Sequence, residues 1–368
     1  MLAGNVSGPL LANVINPGVV TGGAGGMLAN ATVTEQNVNA SLLTAENLLT
    51  NPWFNWAQLQ TPGTLTTIPD NQVGPDGWKV TRENADVQYQ RLVQSVGATS
   101  GYLGVFKKIT AAGKFMVYQP LESQLTLSLQ NATVTFTLSI RLGVARLVRF
   151  ALFKYTGGAP NTVVPAPVSA WNGAGVIPTL NAGFTFINSF SALVAVGNSA
   201  YNLVVNTGTF GANDILCVAV IADEQFAVNE TMGLFQTSFC VGSAGQFIAR
   251  PLTPTEDVAR CERMIEKSFD MDTIPGTATL VGVENYNNVG TAALRGIKYR
   301  QRKLFDGPVI TLYNPNSGAT GSWRDTTGGV DVAVVSQNGG EAGVAVAPTG
   351  LTTPNNQMAG HYLINGSL

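Results

Sequence analysis

Four carboxylates, Asp214, Asp223, Glu224 and Glu230, gather around the apolar run 215–221. Two carboxyl groups are the minimum equipment for glycoside hydrolysis, one protonating the leaving oxygen while the other activates water or attacks the sugar. Here they stand in turn-like words: Asp214 follows Gly-Ala-Asn and Asp223-Glu224 is a doublet, so solvated loops are the favoured reading. The chain has one histidine, His361, and any Ser-His-Asp or Cys-His site would have to use it. No GxSxG word is present, and Ser336 and Ser367 are its nearest serines in sequence. A strand or interface role for His361 is the simpler expectation. Zinc held by clustered histidines is excluded by count, leaving Asp270 and Asp272 as a conceivable calcium pair or a plain loop. The glycine run 22–26 lacks the Lys-Ser/Thr of a phosphate loop. The expectation is no catalytic residue, no metal, no cofactor and no enzyme.

The aromatics offer a different chemistry. Trp171, Trp323, Tyr286 and Tyr313 stand among Asn and Gly, where exposed rings stack on sugar faces beside amide and hydroxyl donors. Core burial is the rival explanation, and it is preferred for Trp53, Phe54, Trp56 and Trp78, which flank strand-like words. The basic run 298–303 reads as one solvated strand face, or as a contact for acidic glycans or a partner subunit.

These side chains need a scaffold, and the sequence spells one of strands and turns. Alternating words at 124–129, 133–140, 149–153, 201–205 and 215–221 predict strands with one face inward. Gly157-Gly158, Asn161, Asn172-Gly173 and Gly183 separate them. Asn172-Gly173 suits a two-residue hairpin, and 160–178 is long enough to project as a surface loop. A second set of strand words follows at 296–305, 308–313, 330–335, 343–346 and 360–368. Between the sets lies one helix signature. Thr253 caps it, Pro254 opens it, Glu256 completes a capping box, and Val258, Cys261, Ile265 and Phe269 recur at helical spacing. That narrow apolar stripe needs a partner surface, and an oligomer interface is the expectation.

Charged residues are 11% of the chain, against roughly 25% in an average soluble protein. With a net charge of -2 there is no basic stripe for phosphates, and nucleic acid is not an expected partner. No run of 18 apolar residues predicts a membrane span, and 1–28 lacks the pattern of a signal peptide. Cys217, Cys240 and Cys261 are widely spaced and sit in apolar words, so buried free thiols are expected rather than a bridge. Residues 1–45, with their Gly-rich stretch, cannot build a core and read as an arm that docks on a partner or a neighbouring copy.

Three words carry a family resemblance. Arg260-Cys-Glu-Arg-Met-Ile-Glu-Lys-Ser-Phe269 resembles a helix found in tail-fibre and other virion appendage proteins of tailed bacteriophages. Asn47-Leu-Leu-Thr-Asn-Pro-Trp-Phe-Asn-Trp56 with Asp76-Gly-Trp78 resembles the opening of carbohydrate-binding-module-like jelly rolls in phage tail proteins. The stretch from Pro308 to Pro315, followed by Trp323, is similar to their small C-terminal β-module, although His361-Tyr-Leu-Ile-Asn-Gly-Ser-Leu368 departs from its usual ending. The resemblance implies a structural virion protein, a fibre or receptor-binding appendage that adheres to host-surface polysaccharide. It also implies a homotrimer attached to other virion proteins, with its place in the virion. A head fibre or capsid decoration protein and a capsule polysaccharide depolymerase are the alternatives. The expected architecture is all-β: a docking arm (1–45), a jelly-roll-like β-sandwich (46–252), a connecting α-helix (253–269) and a C-terminal β-sandwich module (270–368).

Overall fold

The computed structural model describes residues 47–84, 86–96, 99–242, 253–287, 294–304, 307–349 and 356–366. The arm predicted over 1–45 lies outside them. Among the described residues the chain is nearly all β, with two short helices, and neither is long enough to cross a membrane.

The first part contains β1 (Thr66–Ile68), β2 (Gln72–Val73), β3 (Lys79–Arg82), β4 (Val87–Val96), β5 (Thr99–Lys108) and β6 (Phe115–Pro120). Helix α1 (Ser123–Ser128) and strands β7 (Thr133–Leu142), β8 (Arg146–Thr156), β9 (Val168–Ala170) and β10 (Thr179–Leu180) follow. The part closes with β11 (Phe184–Val194), β12 (Gly197–Asn206), β13 (Asp214–Ala222) and β14 (Thr231–Val241). Helix α2 (Pro254–Glu262) leads into β15 (Ile265–Lys267), β16 (Glu284–Asn287), β17 (Arg295–Lys298) and β18 (Val309–Tyr313). The chain continues through β19 (Ser322–Asp325), β20 (Val330–Gln337), β21 (Gly343–Thr349) and β22 (Gln357–Asn365).

Two antiparallel six-stranded sheets form a sandwich, in the orders β1-β4-β5-β14-β7-β12 and β11-β8-β13-β6-β3-β2. Strand β7 shows why. Val134, Phe136, Leu138, Ile140 and Leu142 point into the core between the sheets, while Thr133, Thr135, Thr137, Ser139 and Arg141 take the other face. Strand β13 does not alternate, because both of its faces are buried. Leu216, Val218 and Val220 enter the inter-sheet core, whereas Ile215, Cys217, Ala219 and Ile221 join a second apolar cluster on the far side of the sheet. That cluster is covered by Val164 and Trp171 and by Met264, Ile265 and Leu304 from beyond the sandwich. The third sheet runs β15-β22-β19-β20-β21-β17, with β16 and β18 also paired to β22, over a core of Trp323, Val346, Met358 and Ile364.

Several local expectations change. The word at 124–129 is helix α1, not a strand, because Thr126 on its inner side accepts the Leu216 backbone N–H of β13 (2.9 Å) and closes the end of the sandwich. Asn172-Gly173 does not close a two-residue hairpin; β9 and β10 are joined by the longer loop 171–178. Most of 160–178 lies exposed or half-exposed at the surface, as expected, but tethered. Lys79 Nζ donates to the Val164 carbonyl (2.7 Å), and Lys114 Nζ to those of Asn172 (2.6 Å) and Gly173 (2.8 Å), lashing it to the sheet.

The capping box at Thr253, Pro254 and Glu256 is present, but α2 ends at Glu262 rather than running to 269. Ile265 belongs to a strand paired with β22, a partner about a hundred residues downstream by number that helical spacing cannot reveal. Cys261, Ile265 and Phe269 are buried within the chain itself and Val258 is half-buried, so the stripe predicted as an oligomer interface already has its partner surface. Asp257 of α2 accepts the Asn51 backbone N–H (3.1 Å) and Trp56 Nε1 (2.9 Å), and Gln58 Nε2 donates to the Ile265 carbonyl (2.8 Å). In the basic run Lys298, Arg300 and Arg302 are exposed, Arg300 pairing with Glu262 and Arg302 with Glu341, whereas Lys303 is buried against Glu266. All three cysteines are buried and free.

Candidate functional site

The four predicted stacking aromatics do not converge. Trp171 is half-buried against the second apolar cluster of the sandwich, whereas the other three belong to the C-terminal module. Trp323 is 0% exposed, its Nε1 donating to the His361 carbonyl (3.2 Å), and it presents no face to a ligand. Tyr286 packs edge-on against it at 5.7 Å and carries the Arg295 guanidinium 6.0 Å above its own ring. Tyr313 meets Phe269 edge-on, also at 5.7 Å. These rings are core and core rim.

His361 lies on β22, stacked on Phe269 at 3.9 Å and 16°. Its Nδ1 is 2.9 Å from Ser268 Oγ and its Nε2 is 2.9 Å from the Thr279 carbonyl, which only accepts. Nε2 therefore carries the proton and Nδ1 accepts from the serine. Burial pushes its pKa below the ordinary histidine value and keeps the ring neutral. The serine beside it is Ser268, not Ser336 or Ser367, and Ser268 Oγ also accepts the Tyr362 N–H (3.0 Å).

The carboxylates are held by cations. Arg149 grips Asp223 through both oxygens (3.1 and 2.8 Å), and Lys154 holds Asp214 at 2.9 Å. Arg146 joins Glu230 (2.9 Å from Nε) and stands 3.9 Å from Glu224. The hydrogen bond from Arg146 holds the Glu230 carboxyl below the usual range, although burial pulls the other way. For Asp214 burial pushes the pKa up, and the bonds from Thr156, Gly211 and Lys154 outweigh it. A glycosidase acid needs a raised pKa, the opposite of both. Asp272 pairs with Arg91 (2.7 Å), and among the described residues no three metal-ligating side chains gather.

A concave feature lies on the outer face of the first sheet. Antiparallel register places Gln90, Val105, Gly233 and Arg141 on one line across β4, β5, β14 and β7. Gln88, Lys107 and Thr231 form the next line. Gly233 has no side chain, and β14 shifts register between Leu234 and Gln236, so the middle of the sheet sinks while its neighbours stand up. The result is a groove of about 540 Å³ lined by Gln90, Lys107, Arg141, Asn229 and Thr231, with Gly143 at its edge. Gln90 is held in place by donating its amide to the Gly63 carbonyl. The alternating word at 133–140 stops one residue short of Arg141, and nothing in the sequence placed that residue beside Gly233.

No family model matches this sequence, and no curated protein does. Similar solved structures include TmCBM61 in complex with β-1,4-galactotriose, at 12% identity and TM-score 0.30, over 54% of this chain and 100% of that one. The family 11 carbohydrate-binding module from Clostridium thermocellum, in complex with a β-1,3-1,4-mixed-linked tetrasaccharide, gives 10% and 0.28 over 50% and 98%. The enzymatically active domain of bacteriophage CBA120 tailspike protein 4 gives 9% and 0.31 over 53% of this chain and 21% of that one. At these scores the groove has to be read from its own residues.

Proposed function

We propose that this chain is a non-catalytic saccharide-binding protein whose ligand lies across the groove over Gly233. The observation that carries the reading is the lining: amide, hydroxyl and cationic donors beside Leu65, Leu92 and Val105 around a glycine floor, open to solvent on a sheet face. A hydroxyl-rich ligand answers such donors. Binding without hydrolysis is supported by the carboxylates, each already gripped by an arginine or lysine.

The setting we propose is a tailed-phage virion, as a fibre or receptor-binding appendage; the three sequence words between Asn47 and Trp323 support it. A head fibre or decoration role fits the same words. Multivalent display, as in the trimer these words imply, would turn weak contacts into firm attachment. The test is calorimetric titration of the protein with a panel of defined oligosaccharides, run beside a reducing-end assay on host surface polysaccharide. Saturable binding with no released ends is expected. Reproducible release, abolished by Glu230→Gln, would replace this reading with a depolymerase.

A further inference from the structure

We infer that the groove over Gly233 selects acidic, carboxylate-bearing saccharides over neutral ones. This inference rests on the binding reading above and deepens it. Lys107 and Arg141 stand on the two strands that flank β14, one register line apart. Strand spacing and rise separate their Cα atoms by about 12 Å. Each lies between residues that point into the sandwich, so each points outward over the glycine floor: Phe106 and Lys108 are buried around Lys107, and Ile140 and Leu142 around Arg141. Neither forms an ion pair among the described residues, and the groove lining contains no carboxylate.

That is unusual in this molecule. With 20 basic and 22 acidic residues in the whole chain, charges are scarce and most described ones are matched. Arg82, Arg91, Arg146, Arg149, Lys154 and Arg263 all have acidic partners. A second concavity, about 430 Å³ between α1 and α2, shows the contrast: it includes Arg263, but also Glu122, whose carboxylate Arg263 holds at 2.6 Å. Among the described residues, the groove over Gly233 sets two cations without an ion-pair partner one register line apart.

A guanidinium binds a carboxylate through two parallel N–H donors, and a lysine adds a compact charge. Gln90, Asn229 and Thr231 supply neutral groups for ring hydroxyls between them. Two cations on a chain of net charge -2 are too few for a polyphosphate backbone, which demands a long basic track. A sugar chain with a carboxylate on one or two rings fits the count.

The experiment is calorimetric titration of the full chain with tetrasaccharides of galacturonate, glucuronate and sialate, each beside its carboxyl-reduced neutral counterpart, and with inorganic phosphate. At least one acidic member should bind roughly tenfold more tightly than its neutral counterpart, with affinity falling as salt is raised. Arg141→Gln with Lys107→Gln should erase that difference and leave the melting temperature unchanged. Equal binding of acidic and neutral partners would overturn the inference while sustaining the saccharide reading. No saccharide binding at all would overturn both. Phosphate competing as well as the acidic sugar, or a difference that persists in the double variant, would overturn the assignment to these two residues acting on a carboxylated sugar.

Discussion

Lys303 Nζ lies 2.7 Å from Glu266 Oε2 with both side chains 0% exposed, and this pair fastens the loop after β17 to the strand that follows α2. Glu266 is further occupied by the Arg300 backbone N–H and the Tyr362 hydroxyl, each at 3.1 Å, and Lys303 Nζ also donates to the Glu262 carbonyl. A fully desolvated pair of this kind is tolerable only while both members are present.

Lys303→Met should therefore destabilise the chain by about 3 to 5 kcal/mol, since it strands a buried carboxylate. Adding Glu266→Leu should recover a substantial part of that loss. Urea denaturation of the single and double variants checks both, and a double variant no better than the single would show that packing rather than charge dominates there.

Asp76 gives a pH dependence with a defined sign. Burial pushes its pKa up to about 6 from an ordinary 3.8, against the opposing hydrogen bond from the Gln58 N–H (2.8 Å). A folded-state pKa above the unfolded value means the folded chain keeps a proton the unfolded chain has lost. The stabilisation is complete below about pH 4 and disappears as pH rises through about 6. Comparing wild type with Asp76→Asn by chemical denaturation, the wild-type advantage should shrink by about 2 to 3 kcal/mol between pH 4 and 7. A constant difference would refute it.

Gly360 is required by Trp323. A Cβ at that position would sit 2.1 Å from the indole ring, inside any permitted contact. Gly360→Ala should cost about 1 to 3 kcal/mol through displacement of the ring. Trp323→Ala should cost about 3 to 5 kcal/mol, as the loss of a buried tryptophan and not of a ligand contact. Thermal melting monitored by tryptophan fluorescence separates these from a surface effect, which would leave the transition in place.

Gly143 borders the groove, and a Cβ built on it meets nothing within 4 Å. Gly143→Trp should fold normally and obstruct the groove. Saccharide affinity should fall about tenfold or more, equivalent to roughly 1.4 kcal/mol or more, while the melting temperature stays the same. Undiminished affinity in a well-folded variant would move the binding site elsewhere.

What could be read in advance was local or periodic. The Thr253–Glu256 capping box is a four-residue event and was visible, as was the alternation of apolar residues with Thr and Ser along β7, although both of its faces are largely buried. Ile265 and Phe269 fit a helix equally well, and only the pairing of Ile265 with Asn365 makes the first a strand residue. Trp323 sits in a Gly- and Ser-rich word that resembles a surface loop, yet the module closes over it. The groove depended on register between β5, β14 and β7, strands far apart in sequence, so Lys107 and Arg141 carried no local sign of belonging together.

Strand β13, walled in on both sides, sets a rule for anyone who would cut or recombine this chain. Met264, Ile265 and Leu304 form part of the cover over Cys217 and Ile221. Lys267 completes the seam by giving its three ammonium donors to the carbonyls of Gln58, Met271 and Thr273 (2.7, 2.8 and 2.7 Å). A stop codon at 253 would not release a tidy cassette; it would expose an apolar sheet and leave the Gln58 carbonyl without its lysine. The two halves are exchangeable only as a pair, and any graft that keeps the binding face must carry the C-terminal module as its lining.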